Sequence, residues 1–309
     1  MNKLMLVAAV LVAGCQPKAA NTSATTPSQP ATAAAPAAKA AAPAAPGSVE
    51  ERLARVEAQL AESAEALEFL RKVYAQQKAQ QKAQEAEEPA EDAMFAVNIA
   101  DAVKAGQVDG PASAPVTIVK AFDFACPYCQ RTVGPMRELV VENKGKVRVV
   151  YMNLVVHPPA KPAHLASCAA AKQGKYKEFK DAFWDKAFLP YAEGHDATKL
   201  GEDNIFAIAK GVGLNVDKLK AEMHSTACES RITADMAELQ KFHVNATPTF
   251  FINGKEIAGA LPKEDFQRAI DEALKQVADS GVPAAQYYDK VVIAKGDKQF
   301  RSKVDGSKH

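Results

Sequence analysis

The stretch Val116-Thr-Ile-Val-Lys-Ala-Phe122 runs directly into Asp123-Phe-Ala-Cys126-Pro-Tyr-Cys129. Of the first seven residues four are β-branched and five are apolar, the pattern of a strand buried on both faces. After the second cysteine, Gln130 to Val141 has helical composition, so the Cys-x-x-Cys falls at a strand-to-helix junction. There the unpaired N–H groups and the positive end of the helix dipole stabilise a thiolate on the first sulfur. A second cysteine one turn into the helix is placed to attack a mixed disulfide formed by the first. The competing reading is half of a zinc site, which needs a second pair at short ligand spacing. Cys168 and Cys228 are isolated and the histidines scattered, so no metal and no cofactor are expected.

Further out, a second buried strand is expected in Lys146-Val-Arg-Val-Val-Tyr-Met-Asn-Leu154, and a third after Pro248 in Thr-Phe-Phe-Ile. Between them lie helical patterns at Lys175 to Phe188, Asn204 to Val212, Val216 to His224 and Cys228 to Phe242. The stripe Phe179, Phe183 and Trp184 reads as core. A last helix is expected over Pro262 to Ser280.

Asp-Phe-x-Cys-Pro-Tyr-Cys after a Val-Thr-Ile-Val strand resembles the DsbA-type branch of the thioredoxin superfamily. His157-Pro158, then Ala163 to Gly174, resembles the opening of that family's inserted helical domain. Val244-Asn-Ala-Thr247-Pro248-Thr-Phe-Phe-Ile-Asn-Gly254 resembles its cis-proline strand and hairpin. The resemblance covers residues 95–280 and implies an α/β thioredoxin fold with a helical insertion at about 159–240. It implies Cys126 as the attacking thiol and Cys129 as the resolving one, with Pro127 and Tyr128 tuning the pair. Thr247 and Pro248 become a shelf for an extended substrate chain, the cis bond being one that proline makes accessible; an ordinary trans-Pro turn is the alternative.

Six residues before the first cysteine, where the family commonly has a buried glutamate, this chain has Lys120. An ammonium near the thiols favours the Cys126 thiolate and makes the disulfide more oxidising. The alternative is a lysine reaching the surface from a strand end. The resemblance also implies a structural disulfide between Cys168 and Cys228. Closing a loop of that length contributes ~4 kcal/mol in the chain-entropy picture; two buried thiols are the other possibility. His157 follows the central strand, where a lone histidine is more often structural. The tail, 281–309, carries Tyr287-Tyr288 and Val291-Val-Ile293 and packs on the domain or on a partner.

N-terminal to the domain, Ser48 to Glu88 is rich in Glu, Ala, Gln and Leu, without Gly or Pro. Ser48 and Glu51 form a capping-box pattern. Leu53, Leu60, Leu67 and Tyr74 occupy one heptad position and Val49, Val56, Ser63 and Leu70 the other, which predicts a coiled coil and a homo-oligomer through residues 49–74. An amphipathic helix packed on its own domain is the alternative. Residues 16–47 contain 14 Ala and 6 Pro, too little burial to offset ordering entropy, and read as a disordered tether. Asn2-Lys3 and the apolar Leu4 to Ala13 form a signal segment, 1–14. Leu-Val-Ala-Gly-Cys15 resembles the bacterial lipoprotein signal, implying acylation of Cys15 and a periplasmic, lipid-anchored protein, with the outer membrane favoured by Gln16.

Composition agrees with this partition. Of 13 Phe, 7 Tyr and one Trp, none precedes Phe69, so the packed core lies in the C-terminal two thirds. With 38 basic and 37 acidic side chains among 309 residues, the chain lacks the basic excess of a nucleic-acid binder. The expectation is an oligomeric thiol–disulfide isomerase or reductase acting on unfolded or misoxidised proteins and recycled by a membrane redox partner. The alternatives are a dithiol oxidase and a non-catalytic scaffold.

Overall fold

The structure is a computed structural model and describes residues 47–306. The signal segment 1–14, the acylation site Cys15 and the tether up to Pro46 lie outside the described residues.

The first element is α1 (Val49–Glu87), 39 residues long. Its start is a reciprocal capping box: Ser48 N donates to Glu51 Oε2 at 2.9 Å and Glu51 N to Ser48 Oγ at 3.3 Å. It stops before Pro89, whose ring disfavours a helical residue ahead of it. No residue along α1 is buried. Leu53, Val56, Leu60, Leu70 and Tyr74 are each at least half exposed.

The folded domain that follows is built on a five-stranded sheet. Its strands are β1 (Val108–Asp109), β2 (Val116–Phe122), β3 (Val147–Asn153), β4 (Thr249–Ile252) and β5 (Lys255–Ala258), in spatial order β1-β3-β2-β4-β5. β2 and β3 are parallel, and β4 pairs antiparallel with both β2 and β5. Every residue of β2 and β3 is buried, as the continuous apolar runs require. The period of two divides them: Val116, Ile118, Phe122, Val147, Val149 and Tyr151 join one core, and Val119, Ala121, Val150 and Met152 the other.

The first core is covered by α3 (Pro127–Arg131), α4 (Val133–Glu142), α11 (Lys263–Asp279) and the insertion. The insertion comprises α5 (Lys161–Lys172), α6 (Tyr176–Phe183), α7 (Leu189–Gly194), α8 (Glu202–Gly211), α9 (Val216–Met223) and α10 (Thr226–Gln240). Phe179, Phe183 and Trp184 are buried in this core. The second core is closed by residues 90–99, the short helix α2 (Ala100–Lys104), the end of α10 and the C-terminal segment. There Tyr287, Tyr288 and Val292 are buried, and Phe300 stacks on Phe95. The tail therefore packs on the domain itself. Lys303, in the short closing helix α12 (Lys303–Gly306), pairs with Glu88 at 2.6 Å.

The single helix expected over Gln130 to Val141 is instead two, α3 and α4, meeting at Thr132. Pro135 supplies the physical reason: it has no N–H to give Arg131 and its ring crowds that carbonyl. The interruption leaves the Cys129 carbonyl to accept from Thr132 N at 3.2 Å and from Thr132 Oγ1 at 2.8 Å.

Candidate active site

Cys126 is the N-cap of α3, with Pro127 at the first helical position, where a missing N–H costs nothing. Across from it the Thr247–Pro248 peptide is cis, and Cys126 Sγ lies 3.2 Å from Thr247 O. Both cysteines are free thiols; Cys126 keeps 3% exposure and Cys129 none, so only the first sulfur meets an incoming chain. Tyr128 between them is 54% exposed, with Arg131 over its ring.

The two thiols are electrostatically opposite. The Cys129 side chain donates a hydrogen bond that holds Cys126 down at about 5 against the cost of burial, and Thr247 and the backbone N–H groups of Cys129 and Tyr128 act in the same direction. Burial, and then the hydrogen bond given to Cys126, push Cys129 well up. One proton is shared by the pair and it sits on the inner sulfur.

Lys120 lies on β2 between Ile118 and Phe122, on the face that α3 covers, and is 2% exposed. It does not reach the surface. Its Nζ donates to Thr132 Oγ1 at 2.8 Å and to the Cys129 carbonyl at 3.3 Å, occupying the gap left by the break between α3 and α4. Burial lowers it to about 8, opposed first by attraction to Cys129. The ammonium is attracted to both sulfurs, to Cys129 more than to Cys126, while the low value of Cys126 comes first from hydrogen bonds. The strand period explains this, because an even position in β2 points at the helix carrying Cys129.

Cys168 on α5 and Cys228 on α10 are joined in a disulfide, with Cα atoms 5.7 Å apart. Among the described residues no group of three or more His, Cys, Asp or Glu is arranged to hold a metal ion.

Two residues of the site were not singled out from the sequence. Asp123 is wholly buried and accepts from Ala125 N at 2.7 Å, Val156 N at 2.8 Å and His157 N at 3.0 Å. His157 Nδ1 is 3.2 Å from the same carboxylate. Asp123 thus ties the loop before Cys126 to the segment following β3. His164 on α5 is wholly buried and accepts from Phe124 N at 3.3 Å. An acidic residue at the end of an apolar strand carries a usable signal, since a buried carboxylate needs donors. A histidine within an alanine-rich helix carries none.

Residues 102–272 match the thioredoxin family. That is more than half of the chain, and the chain belongs to this family. Its strand–Cys-x-x-Cys–helix site and its helical insertion both lie within the matched residues. It is 30% identical over 177 residues to the probable disulfide bond formation protein D of Bacillus cereus, covering 54% of this chain and 78% of that protein. It is also 34% identical over 169 residues to the Na(+)/H(+) antiporter NhaA 3 of Salinispora tropica, covering 54% of this chain and 24% of the antiporter. The chain thus spans about a quarter of that relative's length. Among solved structures it is similar to a thioredoxin-like oxidoreductase from Silicibacter pomeroyi DSS-3, at 30% identity and a TM-score of 0.44, over 54% of this chain and 91% of that one.

Proposed function

We propose that this protein exchanges disulfides with protein substrates outside the cytoplasm, with Cys126 as the attacking thiol and Cys129 as the resolving one. The observation that carries the reading is the asymmetry of the pair: a stabilised thiolate on the outer sulfur, which keeps the little exposure the pair has, beside a fully buried thiol that retains its proton. In the reductive direction the Cys126 thiolate attacks one sulfur of a substrate disulfide, forming a mixed disulfide and releasing the other sulfur as a thiolate. If that thiolate, or another of the substrate, attacks back, the substrate is reshuffled with no net oxidation. If Cys129 gives up its proton and attacks Cys126 Sγ instead, the substrate leaves reduced and the Cys126–Cys129 disulfide remains for a membrane dithiol partner to reduce. Thr247 and Pro248 flank the sulfur as the shelf for the substrate backbone, and Pro127 and Tyr128 tune the pair from between the two cysteines.

An oligomeric isomerase or reductase is favoured by α1. Its heptad seam is apolar and exposed over Leu53, Val56, Leu60, Leu67 and Leu70, and Arg52 and Glu57 flank it five residues apart, the spacing that pairs opposite charges between parallel copies. A dithiol oxidase is the second reading, favoured by the low value at Cys126, since a stabilised thiolate makes the disulfide more oxidising. Refolding assays on the full mature chain separate them. A scrambled-disulfide substrate recovered by the wild type and not by the Leu53→Asp/Leu60→Asp double variant supports the oligomeric isomerase. Oxidation of a reduced substrate by both, without reshuffling, supports the oxidase. Acylation of Cys15 would hold either activity at a bacterial membrane, and mass spectrometry of the N-terminal peptide tests it.

A further inference from the structure

The helical insertion reaches the active-site loop through a continuous run of buried hydrogen bonds that the exchange chemistry does not use. Phe124 N donates to His164 Nε2 at 3.3 Å, and His164 Nδ1 lies 2.8 Å from Asn153 Oδ1. Asn153 donates to Asp235 Oδ2 twice, from Nδ2 at 2.6 Å and from its backbone N at 3.1 Å. Arg231 pairs with Asp235 Oδ1 and lies 3.6 Å from Asp101. His164, Asn153 and Asp235 have no exposed surface. His164 stands on α5, Arg231 and Asp235 on α10, and Asn153 at the end of β3.

The direction of each bond follows from the two ends of the run. A backbone N–H only donates, so His164 Nε2 accepts and the neutral ring carries its hydrogen on Nδ1. That hydrogen needs Asn153 Oδ1, which turns the Asn153 amide nitrogen toward Asp235. The Asp235 carboxylate accepts from Asn153 on one oxygen and from Arg231 on the other. The ion pair on α10 and the Phe124 N–H thus call for the same tautomer of a histidine on α5.

What this controls is the loop at Phe124, two residues before Cys126. The next two loop N–H groups, of Ala125 and Cys126, are held within the loop by the Asp123 side chain and carbonyl. Phe124 N is held by the insertion. The hydrogen bonds that stabilise the Cys126 thiolate come from Cys129, Tyr128 and Thr247 and weaken steeply with distance. A small displacement of the loop therefore changes the thiolate without unfolding the domain.

We infer that His164, Asn153 and Asp235 are positioning residues through which the helical insertion sets the place of Cys126 on the N-terminus of α3, and with it the reactivity of that sulfur. The inference rests on Cys126 being the attacking thiol. The test uses the reduced full chain as wild type, His164→Leu, His164→Gln and Asp235→Ala. Cys126 ionisation is followed by thiolate absorbance and Phe124 by amide hydrogen exchange. His164→Leu and Asp235→Ala should raise the Cys126 pKa by ~1 unit and speed Phe124 exchange at least about tenfold. His164→Gln, which keeps an acceptor, should restore both toward wild type. An unchanged Cys126 pKa in His164→Leu, or unchanged Phe124 exchange in Asp235→Ala, overturns the relay. A measurement that needs no variant is the ring ¹⁵N spectrum of His164 in the wild type: hydrogen on Nδ1 is required, and hydrogen on Nε2 overturns the relay. If wild-type Cys126 instead titrates as an ordinary thiol, the oxidoreductase reading falls, while the tautomer and exchange data still judge the hydrogen bonds.

Discussion

Lys120 and Cys129 are joined by a hydrogen bond from a buried ammonium to the carbonyl oxygen of the inner cysteine, at 3.3 Å. The other hydrogen-bond partner of Lys120 is also a neutral oxygen, Thr132 Oγ1. The cation is therefore held at a cost in folding stability and placed where the resolving thiol must ionise.

That cost is measurable. Burial lowers Lys120 to about 8 from an ordinary 10.5, equivalent to ~3 kcal/mol of destabilisation wherever it is charged in the folded chain. Lys120→Met should therefore unfold at higher urea concentration than wild type at about pH 7. Between about pH 8 and 10.5 only the unfolded wild type binds this proton, so wild-type stability rises with pH and the gap closes. A gap that is absent at neutral pH, or that widens with pH, contradicts the burial of a charged Lys120.

The same variant should exchange disulfides less well. Without the cation the Cys129 thiolate is harder to form in the resolving step, and the reduced pair loses the attraction between Lys120 and the Cys126 thiolate, so the reduced state is less favoured. The reduction potential should fall by ~30 mV for each ~1.4 kcal/mol withdrawn from the reduced form. Equilibration of wild type and Lys120→Met with glutathione mixtures reads this shift, and equal potentials would confine Lys120 to packing.

His164 gives a pH signature of the same sign at lower pH. Burial lowers it to about 4 from 6.5, so the folded chain holds it neutral while the unfolded chain takes up a proton. The associated stability, ~3 kcal/mol, is complete above about pH 6.5 and is lost as pH falls through about 4. Urea unfolding at several pH values should show this slope in wild type and a shallower one in His164→Gln.

Replacing both Cys168 and Cys228 by alanine opens a loop of 60 residues in sequence separation and should cost ~4 kcal/mol in the chain-entropy picture. Denaturant unfolding with Cys126 and Cys129 alkylated isolates the effect. A loss below about 1 kcal/mol would place little weight on this bond.

Much of this architecture is legible in the residues because it follows from period and composition. β2 spans Val116–Phe122 as its apolar run indicates, and the Ser48–Glu51 capping box sets the start of α1. The break at Thr132 is signalled only by Pro135, one residue within a segment of otherwise helical composition. Lys120 was ambiguous as a letter in a strand and became definite once the strand face was known. His164 and Asp235 are beyond such reading: their partners lie 40 and 82 residues away in sequence, and only the folded insertion brings them to the active-site loop.

The most direct test of the central claim is the pH dependence of Cys126 alkylation in the reduced full chain. The account predicts a half-maximal rate near pH 5, where the Cys129 hydrogen bond and the helix N–H groups hold the thiolate, and full protection once the Cys126–Cys129 disulfide forms. A rate that rises only through about pH 8.5, as for an unperturbed thiol, would contradict it.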